Sequence, residues 1–268
     1  MKKEIYNHAI DVDKETLKQF ENCYNQKFVV KAALMPDAHV GYVAPIGAVL
    51  VTKDYIVPSW VGYDIGCGMT AVKIKGKDKL KKIKQNIDKI YNQINRDVPM
   101  GLGNLGREGD LSKESKKEFD KLLERFKKKP HNKQVLDFLK SGKAERSLGT
   151  LGHGNHFIEL DFDDKENTWI VVHSGSRNIG HWIATLYMKK VSGKETAFEE
   201  TYPIKEDTKL GKEYLNLLEF SLDFALLNRI EIIKKVIAGI ERILKEKITY
   251  EIWTNKNHNH AIKEKGFF

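Results

Sequence analysis

Between the turn signal Pro58-Ser59 and the apolar run Thr70 to Ile74 lies VGYDIGCGM, Val61 to Met69, and no other stretch limits the choice of fold so tightly. Its three glycines, Gly62, Gly66 and Gly68, allow close turns that a Cβ would obstruct. A loop of this kind aims side chains, and the two it aims are Asp64 and Cys67, three residues apart. A carboxylate is a hard ligand and a thiolate a soft one. The pair therefore points to a borderline transition ion such as Mn²⁺, Zn²⁺, Co²⁺ or Fe²⁺ rather than Ca²⁺. The competing reading is a buried cysteine in a structural loop, since free Cys is among the most buried residue types. Other ligands elsewhere in the chain must decide.

A chain of 268 residues can bury a real core as one large domain or two ordinary ones. Nothing resembles a membrane span, and the start MKKEIYNHAIDVDKE lacks the apolar segment of a secretory signal. With only Cys23 and Cys67 there is no disulfide framework, which fits a reducing, cytoplasmic setting. Cys23, in ENCYNQ, has no ligand-like neighbours. Lys and Arg exceed Asp and Glu by nine, and Lys73 to Lys84 alone holds seven lysines. That clustering favours a polyanionic partner such as nucleic acid, or else simply a solvated helix face.

In chain order, Lys14 to Tyr24 has helical spacing, and Phe28 to Met35 is a buried strand expected to stop at Pro36. The segment PDAHVG then sets Asp37 and His39 at a strand end, either as reactive groups or as an ordinary turn. Ala48 to Thr52 is a strand, with Tyr55 to Val57 as a short partner. Leu80, Ile83, Ile87, Ile90, Tyr91 and Ile94 predict a single amphipathic helix over Lys77 to Arg96. Pro99 to Asp110 is a glycine-rich loop without a P-loop pattern, suited to a flap. Ser112 to Lys128 is a charged helix opening on a capping-box-like Ser-Lys-Glu-Ser, and Asn132 to Lys140 is a shorter one.

The second informative region is Leu148 to Ser176. HFIEL and TWIVVH are expected to form either two strands joined by a wider loop, without this pairing, or a hairpin whose turn, centred between Asp164 and Lys165, sets Leu160 opposite Trp169, Ile158 opposite Val171 and His156 opposite His173. Opposed residues have Cβ atoms about 4.5–5.5 Å apart, close enough for two imidazoles to share a metal. Ser174 to Gly180 then leads into a helix from about Gly180 to Lys190, where Arg177 and the helix N-terminus make either a phosphate seat or a plain cap. Ser192 to Thr208 reads as a loop or flap. Glu213 to Lys247 is one long helix or two abutting ones, whose apolar face is interrupted by Asn228 and Arg229. These two either aim polar groups at the centre or have a helix-end or surface role. The strand Tyr250 to Trp253 precedes NKNHNHA, where His258 and His260 sit on a polar turn suited to a further ligand. The chain ends on Phe267-Phe268, as though at the start of another strand with nothing for the rings to pack on.

Six segments together, MPDAHVGYVAPIG, IVPSWVGYDIGCGM, LGTLGHGNHFIEL, VVHSGSRNIGH, LDFALLNR and NHNHAIKE, resemble the RtcB-type RNA-splicing ligases, in family order and over nearly the whole chain. The resemblance implies an α/β (α+β) fold with a β-sandwich-like centre, read as one catalytic domain over 1–268 with a helical insertion or flap at 77–147. It implies Mn²⁺ in two sites, with Zn²⁺ or Co²⁺ as substitutes, and GTP. The implied chemistry joins RNA ends bearing a 2′,3′-cyclic phosphate or 3′-phosphate to a 5′-hydroxyl, in tRNA splicing or RNA repair, by way of a guanylylated histidine. It leaves room for an activating partner protein and calls for no membrane. Carried over by position, Asp64, Cys67, His156, His173 and His258 are the metal ligands. Asn155 meets the nucleotide phosphates, with Phe157 and Glu159 near the guanine. Arg177 holds an RNA phosphate, and Asp37 and His39 lie near the incoming 5′-hydroxyl.

The sequence also departs from the family pattern. The HRKGA-like strand and the HGAGR-like loop, whose histidine takes the GMP, are not among these 268 residues, so the chain reads as C-terminally incomplete. Leu226 and Leu227 stand where an aromatic and an alanine are usual, and His153 where a small residue is common. Two alternatives in other classes are a non-catalytic, metal-stabilised RNA-binding protein and a metal-dependent phosphoesterase.

Overall fold

The computed structural model describes residues 3–101, 106, 110–196 and 199–268. It begins with β1 (Glu4–Asn7), α1 (Lys14–Tyr24), β2 (Val29–His39), β3 (Ile46–Thr52), β4 (Tyr55–Ile56) and α2 (Pro58–Val61). Next come β5 (Gly68–Ile74), α3 (Lys77–Gln85), α4 (Ile87–Asp97), α5 (Lys113–Lys127), α6 (Lys133–Lys140) and α7 (Lys143–Arg146). The hairpin β6 (Phe157–Phe162) and β7 (Thr168–Ser174) is followed by α8 (Asn178–Ser192), β8 (Ile204–Lys205), α9 (Lys209–Leu244) and β9 (Tyr250–Asn257). This mixture makes the chain an α/β protein. It divides into two compact units, residues 1–63, 181–216 and 261–268 in one and 64–180 and 217–260 in the other. No helix among the described residues is long and apolar enough to cross a membrane.

In the first unit β2 lies between β1, parallel to it, and β3, antiparallel. Phe20 of α1 packs on Val29, Ala32, Leu34 and Ala38 of β2. The strand runs on through Pro36, contrary to the sequence expectation. Proline, which has no N–H to donate, falls where the pairing with β3 lapses between Leu34 and His39, so no ladder bond is lost. Tyr55 and Ile56 pair with β8 rather than with β3. Phe267 and Phe268 are half-buried, and Phe268 exchanges backbone hydrogen bonds with Thr52, so these rings do have a place to pack.

The second unit carries an antiparallel sheet in the order β6-β7-β5-β9. Alternation along β5 and β7 sends Val72, Ile74, Ile170 and Val172 into a core shared with Ile232, Ile233, Val236, Ile237 and Ile240 of α9. Burying side chains of this size contributes about 1.5–3 kcal/mol each. The predicted helix over Lys77 to Arg96 is two helices, broken at Asn86, whose side chain donates to the Lys82 carbonyl. Leu80, Ile83 and Ile90 are buried, whereas Ile87 and Tyr91 are exposed, because the break rotates the inward face. Residues 77–147 hold α3 to α7; most of the glycine-rich segment between α4 and α5 lies outside the described residues. The Glu213 to Lys247 pattern is one 36-residue helix beginning earlier, at Lys209.

The capping box of α5 is completed from another element. Ser112 Oγ accepts from Ser115 N, but Ser112 N, Ser112 Oγ and Ser115 Oγ all donate to the buried Glu231 carboxylate of α9, at 2.9, 2.7 and 2.5 Å. A carboxylate at a helix N-terminus with three charge-assisted donors is a strong tie. Glu231→Ala is expected to cost about 3 kcal/mol in urea unfolding, because it strands the buried Ser115 Oγ and two part-buried donors of Ser112. A loss below about 0.5 kcal/mol would show that water replaces the carboxylate.

Candidate metal centre

The loop after α2 and the ends of β7 and β9 bring four of the expected ligands to one sulfur. Gly66, at φ +75°, makes the turn that a β-branched or bulky residue would resist, and Cys67 N donates back to the Asp64 carbonyl. A Cβ on Gly68 would collide with the Lys256 carbonyl and the Asn257 backbone, so only glycine lets β9 approach here. That approach is locked by the bonds from His258 N and Asn259 N to the Cys67 carbonyl, 2.8 and 3.1 Å, and from Asn259 Nδ2 to the Asp64 carbonyl, 2.8 Å. Cys67 Sγ then lies 2.9 Å from His173 Nε2, 3.4 Å from His258 Nε2 and 3.7 Å from His156 Nε2. Asp64 Oδ2 is 3.0 Å from His156 Nε2. Two triads result, Cys67-His173-His258 and Asp64-Cys67-His156, each with ligand atoms within 4.8 Å of one another.

The hairpin reaches this geometry in a different register from the one expected. His173 pairs with Phe157, not His156, and Ile158 pairs with Val172. WIVV is apolar at both parities, so alternation cannot choose between the registers and the turn decides. The Asp163 carboxylate accepts from Lys165 N and Asn167 N, Asp163 N donates to the Asn167 carbonyl, and Glu166 is left-handed at φ +60°. That is a three-residue loop centred on Lys165. His156 precedes β6, is free of the strand's alternation, and still turns its ring to 5.4 Å from that of His173.

Local electrostatics suit a cation. His173 Nδ1 can only donate to the Asn155 carbonyl, 2.9 Å away, so its Nε2 presents a lone pair. That lone pair faces His258 Nε2 at 3.2 Å, which either donates its own proton to it or shares a metal with it. Burial, and then a neighbouring imidazole, lowers the pKa of both His173 and His258 and keeps them neutral and ligand-ready. Desolvation and the adjacent Asp64 push the Cys67 thiol up, a cost that a bound cation would offset. Burial, the largest single influence, pushes the Asp64 carboxyl up, but the hydrogen bond and charge of His156, together with Cys67 and His173, outweigh it and the net shift is downward. The Nδ1 of His156 is buried without a partner, against the α-carbon of Gly152. Sulfur, imidazole and carboxylate with three protein ligands per triad match a borderline ion that keeps a position open.

The remaining sequence-predicted residues divide between the units. Arg177, left-handed at φ +61°, donates to Thr150 Oγ1 and the Gly101 carbonyl, and a Cβ on Gly152 would strike both it and His156. Burial lowers its pKa. Phe157 packs edge-on against His173, and Glu159, two residues on, lies exposed on the same sheet face. Asn155 is used through its carbonyl. Asp37 and His39 belong to the first unit, exposed, with His39 Nδ1 2.9 Å from the Asp37 carbonyl. His260 joins neither triad. The polar interruption of α9 is the part whose role sequence left open. Asn228 accepts from Gly149 N and donates to Ser174 Oγ and to the Thr150 and Gly175 carbonyls, which ties the helix to the loops around the cluster.

A family model described as tRNA-splicing ligase RtcB matches residues 19–267. The chain belongs to the RtcB family. It is 29% identical over 283 residues to the RNA-splicing ligase RtcB of Escherichia coli K12, covering 98% of this chain and 68% of that one. The tRNA-splicing ligases RtcB of Nanoarchaeum equitans and Thermococcus kodakarensis are 28% and 27% identical, with 88% and 92% of this chain and 58% and 60% of theirs covered. The chain thus spans roughly three fifths to two thirds of the length of these RtcB relatives.

Proposed function

We propose that this chain carries the metal centre of an RtcB-type RNA ligase, joining RNA 2′,3′-cyclic phosphate or 3′-phosphate ends to 5′-hydroxyl ends with Mn²⁺ and GTP. The observation that carries the proposal is the sharing of Cys67 between two triads, which would let two ions meet at one sulfur. Asp64 and His156 would hold one ion, His173 and His258 the other. A divalent ion held there supplies Lewis-acid charge to a phosphate. The protein's own part is to keep His173 in one tautomer through Asn155, to present Arg177 to an RNA phosphate, and to offer Asn155, Phe157 and Glu159 to the nucleotide. Asp37 and His39 would serve the 5′-hydroxyl strand. The net charge of +9 favours an RNA partner.

In the presence of Mn²⁺, RNA ending in a 3′-phosphate is expected to bind about tenfold tighter than the same RNA ending in a 3′-hydroxyl, about one charge-assisted contact. Cys67→Ala should erase the difference. Equal, salt-sensitive binding of both RNAs, indifferent to Cys67→Ala, would instead mark a non-catalytic RNA-binding protein. Opening of a 2′,3′-cyclic end or release of phosphate without GTP would mark a phosphoesterase.

A further inference from the structure

The largest side chain fully shut off from solvent is a cation. Arg229 of α9 is 0% exposed, and among the described residues no carboxylate forms an ion pair with it. Its Nη1 donates to the Gly66 carbonyl at 3.0 Å and the Ser174 carbonyl at 2.9 Å, and its Nη2 to Asn257 Oδ1 at 2.7 Å. Its Nε is shared between Asn255 Oδ1 at 2.9 Å and Thr70 Oγ1 at 3.2 Å. Gly66 precedes Cys67, Ser174 follows His173 and Asn257 precedes His258. One planar fork thus reaches the chain next to each member of the Cys67-His173-His258 triad.

A buried charge without a counter-ion costs several kcal/mol, about what a core hydrophobe would avoid, and needs a return beyond packing. Desolvation lowers the Arg229 pKa to about 10, while the Cys67 sulfur, once deprotonated, and the Asp64 carboxylate, both in the cluster, raise it. We infer that Arg229 is the positioning residue of the metal centre: its guanidinium holds the ends of β5, β7 and β9 at ligand spacing before any ion arrives. The inference rests on the metal-centre reading and adds to it a residue that touches no metal. Lysine cannot substitute, because a point charge on a flexible stem does not reproduce a fixed fork. Asn257 and Asn255 extend the device, since their Nδ2 groups donate to the Leu222 and Leu226 carbonyls of α9 and keep both acceptors turned toward Arg229.

The test compares Arg229→Lys and Asn257→Ala with Ile240→Ala, a core substitution in the same unit that removes no hydrogen bond to a ligand segment. Co²⁺ affinity, the sulfur-to-cobalt absorption and hydrogen exchange of the His258 and Asn259 amides in the metal-free protein are read in each. Arg229→Lys is expected to weaken Co²⁺ binding about 10- to 100-fold, the usual effect of losing an outer-sphere partner. It should also dim the absorption and speed exchange at both amides. Asn257→Ala should do the same to a smaller degree. Ile240→Ala should lower the melting temperature while leaving affinity and local exchange as in the wild type. Equal Co²⁺ affinity and amide exchange in Arg229→Lys and Ile240→Ala would overturn the inference. Were Arg229→Lys not to fold, Asn257→Ala against Ile240→Ala decides alone. Absence of Co²⁺ binding by the wild type would overturn the metal-centre reading, while the amide exchange would still show whether Arg229 holds the ligand segments.

Discussion

Cys67→Ala is expected to lower affinity for Co²⁺ or Mn²⁺ by about 100- to 1,000-fold and to abolish the sulfur-to-cobalt absorption entirely. Apparent binding energies of about 10–16 kcal/mol for four-ligand structural zinc sites correspond to about 2.5–4 kcal/mol per ligand. That is two to three factors of ten. The effect should fall at the upper end here, because Cys67 belongs to both triads and its loss leaves each with two protein ligands. The substitution removes one sulfur atom from a site 4% exposed, so the fold should survive. Cys23→Ala is the matching control, also buried and with no ligand-like group beside it. Binding by Cys67→Ala within about threefold of the wild type, less than 1 kcal/mol, would reduce Cys67 to an ordinary core thiol.

The 268-residue chain is also expected to keep its unmodified mass after incubation with GTP and Mn²⁺. The proposed chemistry would need a GMP-accepting histidine in an HGAGR-like loop, as the family resemblance implies, and none of the nine histidines here sits in such a loop. Nor is His173 free to take its place: its Nε2 faces Cys67 and His258, and its Nδ1 is occupied by the Asn155 carbonyl. Intact-mass spectrometry reads the result as all or nothing. A stoichiometric gain of one GMP would mean that a histidine within these residues is the nucleophile. Mapping the adduct would then name it, and the division of labour proposed above would have to be redrawn.

The site was more legible than the packing that supports it. Glycines at 62, 66 and 68 around Asp64 and Cys67, and histidines at strand ends, are local signals that survive whatever the rest of the chain does. The hairpin register was not local in that sense. It depended on whether the Asp163 carboxylate would collect the Lys165 and Asn167 amides, which an acidic run such as DFDDKEN does not announce. Likewise Leu80, Ile83, Ile87 and Ile90 keep helical spacing across Asn86, so periodicity alone runs α3 and α4 together. Arg229 gave half a signal. A charged residue on an apolar helix face demands buried acceptors, but only the assembled sheet shows that these are the carbonyls and amides flanking the three residues of one candidate triad.

The sequence distances across the cluster set an order of events in time. Cys67 meets His156 across 89 residues, His173 across 106 and His258 across 191. Contacts so remote along the chain close late, after the loop entropy between them has been met by the sheet and α9. During synthesis Asp64, Cys67 and His156 emerge first and can form only one triad; the other must wait until β9 has left the ribosome and joined β5. Metal loading would then be among the last steps of this protein's maturation.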